Sequence, residues 1–253
     1  AIIADEVAVN FQPIINIADG ALLGFEALAR WTDRDLGFIS PGLFIPLAEE
    51  RGFIDSLTDT LLRKAAETAK NWPSHLFLSF NLSSIQLTDP ATCHNVMAIL
   101  SSVGLDPRRL ELEITETAMM SDPETAGEVV NELRSFGIRI SLDDFGTGQS
   151  SLGRLRDFAF DKVKIDRSFV NEITVDRSSE TIVKAILAMC DGLDLKVIAE
   201  GIETPEQAAK LLELGCRAGQ GYLFGKAVNS ETTYALIKSE REAQSRQERE
   251  LRA

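Results

Sequence analysis

The chain has 253 residues, 44% hydrophobic and 26% charged, a balance that supports a folded core and excludes intrinsic disorder or low-complexity behaviour. With 39 acidic against 26 basic side chains the formal charge is −13, so the overall field repels polyanions and excludes a general nucleic-acid footprint. No apolar run is long enough to span a bilayer, and the first residues lack the basic start and apolar stretch of a secretion signal.

In chain order, apolar β-rich runs fall at 11–17, 22–28, 76–81, 110–115, 138–142, 162–166, 196–199 and 218–223. Helical spacing fills the intervals at 41–50, 56–71, 90–101, 123–135, 178–191 and 205–214, several with Pro in the first turn and Gly just past the last, as Pro205 and Gly215 illustrate. Alternating strand and helix implies parallel pairing through crossover helices, and eight strands at this length fit a single TIM-like (β/α)8 barrel. Only a short turn at Ala18-Asp19-Gly20 separates the first two strands, which leaves residues 18–21 between them. That turn is too short for a parallel crossover, so an antiparallel first strand and a modified α/β barrel are expected. Residues 238–253 are almost wholly polar, with opposite charges at helical spacing, and read as a solvated helical tail after a domain spanning 1–237. The chain opens without Met, so an excised domain or a processed chain is expected, with other domains elsewhere.

Cys93, Cys190 and Cys216 are odd in number and never form a C-x-x-C pair, which argues against a disulfide framework or a thiolate zinc site and for a reducing cytoplasm. His75 and His94 are the only histidines; they exclude an H-E-x-x-H protease and read as surface or core residues rather than ligands. Chemistry is left to carboxylates and lysine. Lys162 and Lys196 read as solvated charges flanking strands. Asp144-Phe145-Gly146 mimics a kinase magnesium motif, but no H-R-D loop accompanies it.

Glu26, Asn81, Glu113, Asp143, Asp144, Lys164, Glu200 and Gln220 each fall at or near the C-terminal end of an apolar run. In a barrel those ends meet on one face, the rim where active sites are built. Each like-charged pair at ~4 Å costs roughly 4 kcal/mol at an effective dielectric near 20, so such a cluster requires cations. Carboxylate and amide oxygens favour Mg²⁺ or Mn²⁺ over zinc. The adjacent Asp143-Asp144 pair can bridge one ion and contact a second, an arrangement that activates water and neutralises a phosphoryl group. Metal-assisted phosphodiester hydrolysis follows as the reaction class, with a carboxylate-metal lyase and a binding module without turnover as alternatives. Ca²⁺ is expected to compete for the same oxygens yet support little turnover, because its looser coordination positions water poorly.

These residues also sit in ordered motifs: Phe11-Gln12-Pro13-Ile14, Glu26-Ala27-Leu28-Ala29-Arg30-Trp31, Asn81-Leu82-Ser83, Glu113-Ile114-Thr115-Glu116, Asp143-Asp144-Phe145-Gly146-Thr147-Gly148, Lys164-Ile165-Asp166-Arg167, Ala199-Glu200-Gly201-Ile202-Glu203-Thr204 and Gln220-Gly221-Tyr222-Leu223-Phe224. Together they resemble the EAL-type cyclic di-GMP phosphodiesterases over nearly the whole chain. The resemblance implies two ions, Mg²⁺ or Mn²⁺. Glu26, Asn81, Glu113 and Asp143 would hold one, and Asp143, Asp144 and Glu200 the other, directly or through water. It implies Lys164 as the residue that holds and polarises the attacking water, and Gln12, Arg30 and Gln220 as substrate contacts. Glu203 is similar to a supporting acid behind the ligands, and Glu116 to the anchor of the loop 144–151. The implied reaction opens cyclic di-GMP into linear pGpG. A homodimer and an upstream GGDEF or sensory domain in the full-length protein are further implications, and a receptor that keeps the fold without turnover is the rival within the resemblance. Three residues depart from the family pattern: Gln149 after the Gly-Thr-Gly, Phe11 before Gln-Pro, and Ala227 after the Phe-x-Lys.

Overall fold

The computed structural model describes residues 6–115, 117–118, 122–146 and 158–251, with side chains described as far as residue 242. Strand β1 (Val7–Asn16) folds back on β2 (Leu22–Asp33) as the expected antiparallel hairpin, with Gln12 opposite Glu26. After a short β3 (Gly37–Ile39) come β4 (Phe77–Asn81), β5 (Leu110–Thr115), β6 (Arg139–Phe145), β7 (Lys162–Ile165), β8 (Lys196–Ala199) and β9 (Ala218–Gly219). The sheet runs β1-β9-β8-β7-β6-β5-β4-β2-β3, and the additional β1–β2 pairing closes it into a barrel with β3 outside. β1 is antiparallel to both of its neighbours, whereas the barrel pairings from β2 through β4 to β9 are parallel. The modified α/β barrel read from the sequence is therefore the observed fold.

β1 starts at Val7 and β6 runs on to Phe145, beyond the expected bounds, and two further boundaries differ for a local reason. β2 continues five residues past Leu28 because Ala29 to Trp31 keep pairing with the start of β1, and Trp31 to Asp33 pair with β3, the one strand the sequence reading lacks. β9 stops at Gly219 because the next turn lays Gly221 directly on the backbone of Ile202, where a Cβ would stand 2.1 Å from a carbonyl oxygen. Only glycine permits that approach.

Helices α1 (Pro41–Glu50), α2 (Ile54–Ala69), α4 (Thr92–Val103), α5 (Pro123–Ser135), α7 (Arg177–Gly192) and α8 (Pro205–Glu213) lie where helical spacing places them. Two short helices, α3 (Ser84–Leu87) and α6 (Arg167–Glu172), are too brief to show periodicity; the side chains of Ser83 and Asp166 cap them. The last helix, α9 (Ser230–Leu251), begins before residue 238 and docks its first turns through buried Thr233 and Ile237. Further along it, Glu240 Oε1 accepts a hydrogen bond from Leu22 N at 2.6 Å.

The core lies between the barrel's outer surface and the helices. Phe25 is fully buried, with its ring 4.9 Å from that of Trp72, and Phe11 meets the same indole edge-on at 5.5 Å. Phe11, one of the three departures, thus works as an apolar core residue. Phe25→Ala is expected to lower stability by about 3–5 kcal/mol, because the lost transfer energy is compounded by a cavity that the barrel cannot close. Urea denaturation should show a lower midpoint at an unchanged slope.

Inside, the barrel combines a small apolar cluster of Ile14, Phe77 and Ile198 with buried charges. Glu111 at 0% exposure receives Lys162 Nζ at 2.5 Å and Arg139 at 3.5 Å, and the Lys162 ammonium also sits 3.7 Å from the Phe77 ring centroid. Lys162 is therefore buried and paired, and the expectation of a solvated flanking charge is corrected: its strand position turns it inward to neutralise Glu111. Lys196 is exposed, as expected, as are His75 and His94, and the three cysteines are free and buried.

Candidate cation centre and substrate mouth

One level above the Glu111 cluster, at the C-terminal ends of the strands, a second buried lysine gathers four carboxylates. Lys164 is wholly buried, and its Nζ lies 2.6 Å from Glu200, 2.8 Å from Glu113, 3.5 Å from Glu26 and 3.7 Å from Asp143. Each acid comes from a different strand or strand end, so convergence is a consequence of barrel closure. Two amides complete the ring: Asn81 Nδ2 donates to Glu26 Oε1 at 2.9 Å. Gln220 Nε2 donates to both Glu26 Oε2 at 2.7 Å and Glu200 Oε1 at 2.8 Å.

The adjacent Asp143 and Asp144 present a geometric problem, since neighbours on a strand point to opposite faces. The chain solves it by kinking. Asp144 adopts φ 55°, and the β6–β7 register slips between Leu142 and Phe145. Asp tolerates the left-handed region better than most residues. As a result, ligand oxygens of Asp143, Asp144 and Glu200 lie within 4.8 Å of one another, a grouping able to hold a metal ion. Gly201 supports the far side: at φ 68° it lets the turn after Glu200 pass Arg167, whose Cβ would be 2.5 Å from an added Cβ.

The electrostatics follow from burial against one ammonium. Burial disfavours the charged form of Lys164, but Glu113, Glu200, Glu26 and Asp143 outweigh it and hold the ammonium well above the ordinary lysine range. Glu26 is likewise desolvated, yet Lys164 and the Gln220 and Asn81 hydrogen bonds hold it below the usual carboxylate range. Burial, and then the Glu26 charge, push Glu113 well up. Burial raises Glu200 to about 7, with Asp143 and Glu26 adding to the rise against Lys164. Asp144 is raised by burial and by Asp143. Four carboxylates share the Lys164 ammonium, and Asp144 is opposed by Lys164 and Arg167, so the cluster is rich in negative charge and suited to a cation.

Not every anticipated residue touches this centre. Gln12 is half-buried on β1 with its amide donated to Gly225 O at 3.3 Å, and Arg30 donates to Ala29 O at 2.8 Å. Arg30 and Asn81 line a cavity of about 390 Å³ beside the mouth, together with Ile45, Glu49 and Ser83. Glu203 is exposed, and its backbone N–H donates to Gln207 Oε1 at 2.8 Å. Glu116, Gln149 and the loop from 147 to 151 lie outside the described residues. The sequence reading passed over Ser79, which donates to Glu113 Oε1 at 2.6 Å. Its only signal was its place two residues before Asn81, on the same strand face.

Fold and site define an α/β barrel with a carboxylate-lined candidate cation site at the strand C-termini. The chain belongs to the EAL domain family, whose model matches residues 1–227. It is 46% identical over 225 residues to an uncharacterized signaling protein of Caulobacter vibrioides, covering 88% of this chain and 28% of that one. It is 39% identical over 226 residues to the cyclic di-GMP phosphodiesterase NbdA of Pseudomonas aeruginosa, covering 88% and 29%. Among solved structures, the PaMucR phosphodiesterase in complex with c-di-GMP superposes with a TM-score of 0.86 at 36% identity, covering 90% of this chain and 94% of that one. BlrP1 of Klebsiella pneumoniae, in a manganese/cy-diGMP complex, gives 0.79 at 29% identity, covering 88% and 56%. The chain spans 28–34% of the length of the first four curated relatives. No helix among the described residues is long and apolar enough to cross a membrane.

Proposed function

We propose that this chain hydrolyses cyclic di-GMP to linear pGpG with two divalent cations, Mg²⁺ or Mn²⁺. The observation that carries the reading is the gathering of Glu26, Glu113, Asp143 and Glu200 within 3.7 Å of one ammonium, beside the Asp143-Asp144-Glu200 oxygens. The donor set is all oxygen, with charge in excess, which suits hard cations. Glu26, Asn81, Glu113 and Asp143 would hold one ion and Asp143, Asp144 and Glu200 the other. Asn81 commits its Nδ2 to Glu26, which leaves its amide oxygen as the donor for a cation. When bound, the cations supply charge neutralisation to the phosphodiester and acidify a water.

The chain's own groups do the rest. Lys164, set among Glu26, Glu113, Asp143 and Glu200, is placed to hold and polarise the attacking water and restrains the surrounding carboxylates. Gln220 holds Glu26 and Glu200 in register with each other while facing the substrate. Arg30 offers the remaining donors of its guanidinium to a substrate phosphate from the edge of the cavity, and Gln12 flanks the same mouth. Glu203 would support the ligand turn that follows Glu200, and the resemblance gives Glu116 the anchoring of the loop 144–151. Ca²⁺ competes for the same oxygens and supports little turnover.

Chromatographic identification of linear pGpG after incubation with cyclic di-GMP and Mg²⁺ tests the reading; tight binding of an unchanged dinucleotide would instead identify a receptor. Mn²⁺ at about 100 times its Kd should stabilise the fold by about 2.7 kcal/mol. Chelator should remove that increment without unfolding the chain, since the core is built independently of the site. A thermal melt in which chelated protein is already unfolded would contradict this. We also read residues 1–237 as the phosphodiesterase unit of a longer, cytoplasmic and homodimeric signalling protein with a GGDEF or sensory domain. The small share of each relative that this chain covers supports the greater length; the location, the dimer and the attached domain rest on the resemblance.

A further inference from the structure

Strand β4 reaches the centre twice. Its period of two puts Ser79 and Asn81 on one face; Asn81 bonds Glu26, and Ser79 Oγ donates to Glu113 Oε1 at 2.6 Å. Ser79 is 0% and Glu113 1% exposed, so bulk water does not compete for that bond. The second oxygen of Glu113, Oε2, faces Lys164 Nζ at 2.8 Å. Lys164 alone is a poor clamp, because its ammonium is shared with Glu26, Asp143 and Glu200. The terminal torsion of a glutamate is also soft. The Lys164 contact with Oε2 is an ion pair without hydrogen-bond geometry, so the Ser79 hydroxyl supplies the directional bond that fixes the carboxylate plane.

We propose that Ser79 is a positioning residue for the cation centre, acting through its hydroxyl on the plane of Glu113. The inference rests on the reading of Glu113 as a cation ligand. Hydrogen bonds that orient a ligand from behind are typically worth about 10–100-fold in metal affinity, and that is the effect expected here.

The barrel supplies its own control. Ser141 on β6 pairs with Glu113 in the sheet register and is equally buried, but its Oγ has no hydrogen-bond partner among the described residues. Calorimetric titration with Mn²⁺ compares the wild-type chain, Ser79→Ala and Ser141→Ala. Ser79→Ala should weaken Mn²⁺ binding about 10–100-fold, and raise the Mn²⁺ concentration for half-maximal turnover alike, while kcat at saturating Mn²⁺ returns to within about threefold of wild type. Ser141→Ala should bind Mn²⁺ like wild type. Ser79→Cys keeps the volume with a weaker donor and should fall between, which preserves the test if the alanine variant folds poorly. A Ser79→Ala protein with a lowered melting temperature but unchanged Mn²⁺ affinity would overturn the positioning role. Failure of the wild-type chain to bind Mn²⁺ would instead overturn the cation centre itself.

Discussion

Asp143→Asn is expected to reduce cyclic di-GMP hydrolysis by at least about 10³-fold while leaving the melting temperature unchanged or slightly raised. The asymmetry follows from what Asp143 touches. It is half-buried, 3.7 Å from Lys164 Nζ, and its Oδ1 accepts the Asp144 N–H at 3.0 Å, a bond an amide oxygen can also accept. In the cation-free protein it is one acid among several competing for a single ammonium, so its charge adds repulsion. In the proposed reaction it is the shared ligand of both ions, and a neutral amide cannot bridge two dications. Steady-state turnover by product chromatography, paired with a thermal melt, reads both halves. Near-normal turnover would sink the two-ion assignment; lost turnover with a collapsed melt would show that the residue's role is structural.

Lys164→Met should do the opposite to stability. The thioether chain has similar length and prefers the interior, but it removes the one cation that Glu26, Glu113, Asp143 and Glu200 share. Breaking a buried ion pair by deleting one partner costs about 3–5 kcal/mol because the remaining charge is left uncompensated. Urea denaturation in chelator should show a loss of that size. Added Mn²⁺ should recover part of it by restoring positive charge to the acids, while turnover stays at least about 10³-fold down without the donor to the water. A variant as stable as wild type in chelator would mean that the carboxylates are held apart by something other than the ammonium.

Much of this site was legible before any fold was known. Glu26, Asn81, Glu113, Asp143, Lys164, Glu200 and Gln220 were identifiable because each terminates an apolar run, and parallel strand–helix alternation sends all such ends to one rim. Gln220 was legible as a member of the mouth but not in its bonding: anticipated as a substrate contact, its amide here ties Glu26 to Glu200. Lys162 was misread because a lysine at a strand start is usually solvated. The pairing that keeps it inside depends on Glu111 two strands away in the barrel.

Composition, strand–helix alternation and the short turn before β2 were enough to dictate a barrel with a reversed first strand, since loop length and periodicity are local properties. They also dictated an oxygen-rich, acid-heavy rim. The tertiary structure alone decided which oxygens meet. The left-handed kink at Asp144, the slip in the β6–β7 register, the Ser79 bond to Glu113 and the stacking of two lysine-centred clusters along the barrel interior depend on how strands are staggered around a closed sheet. Stagger is fixed by pairings between residues far apart in the chain, so local spacing does not encode it.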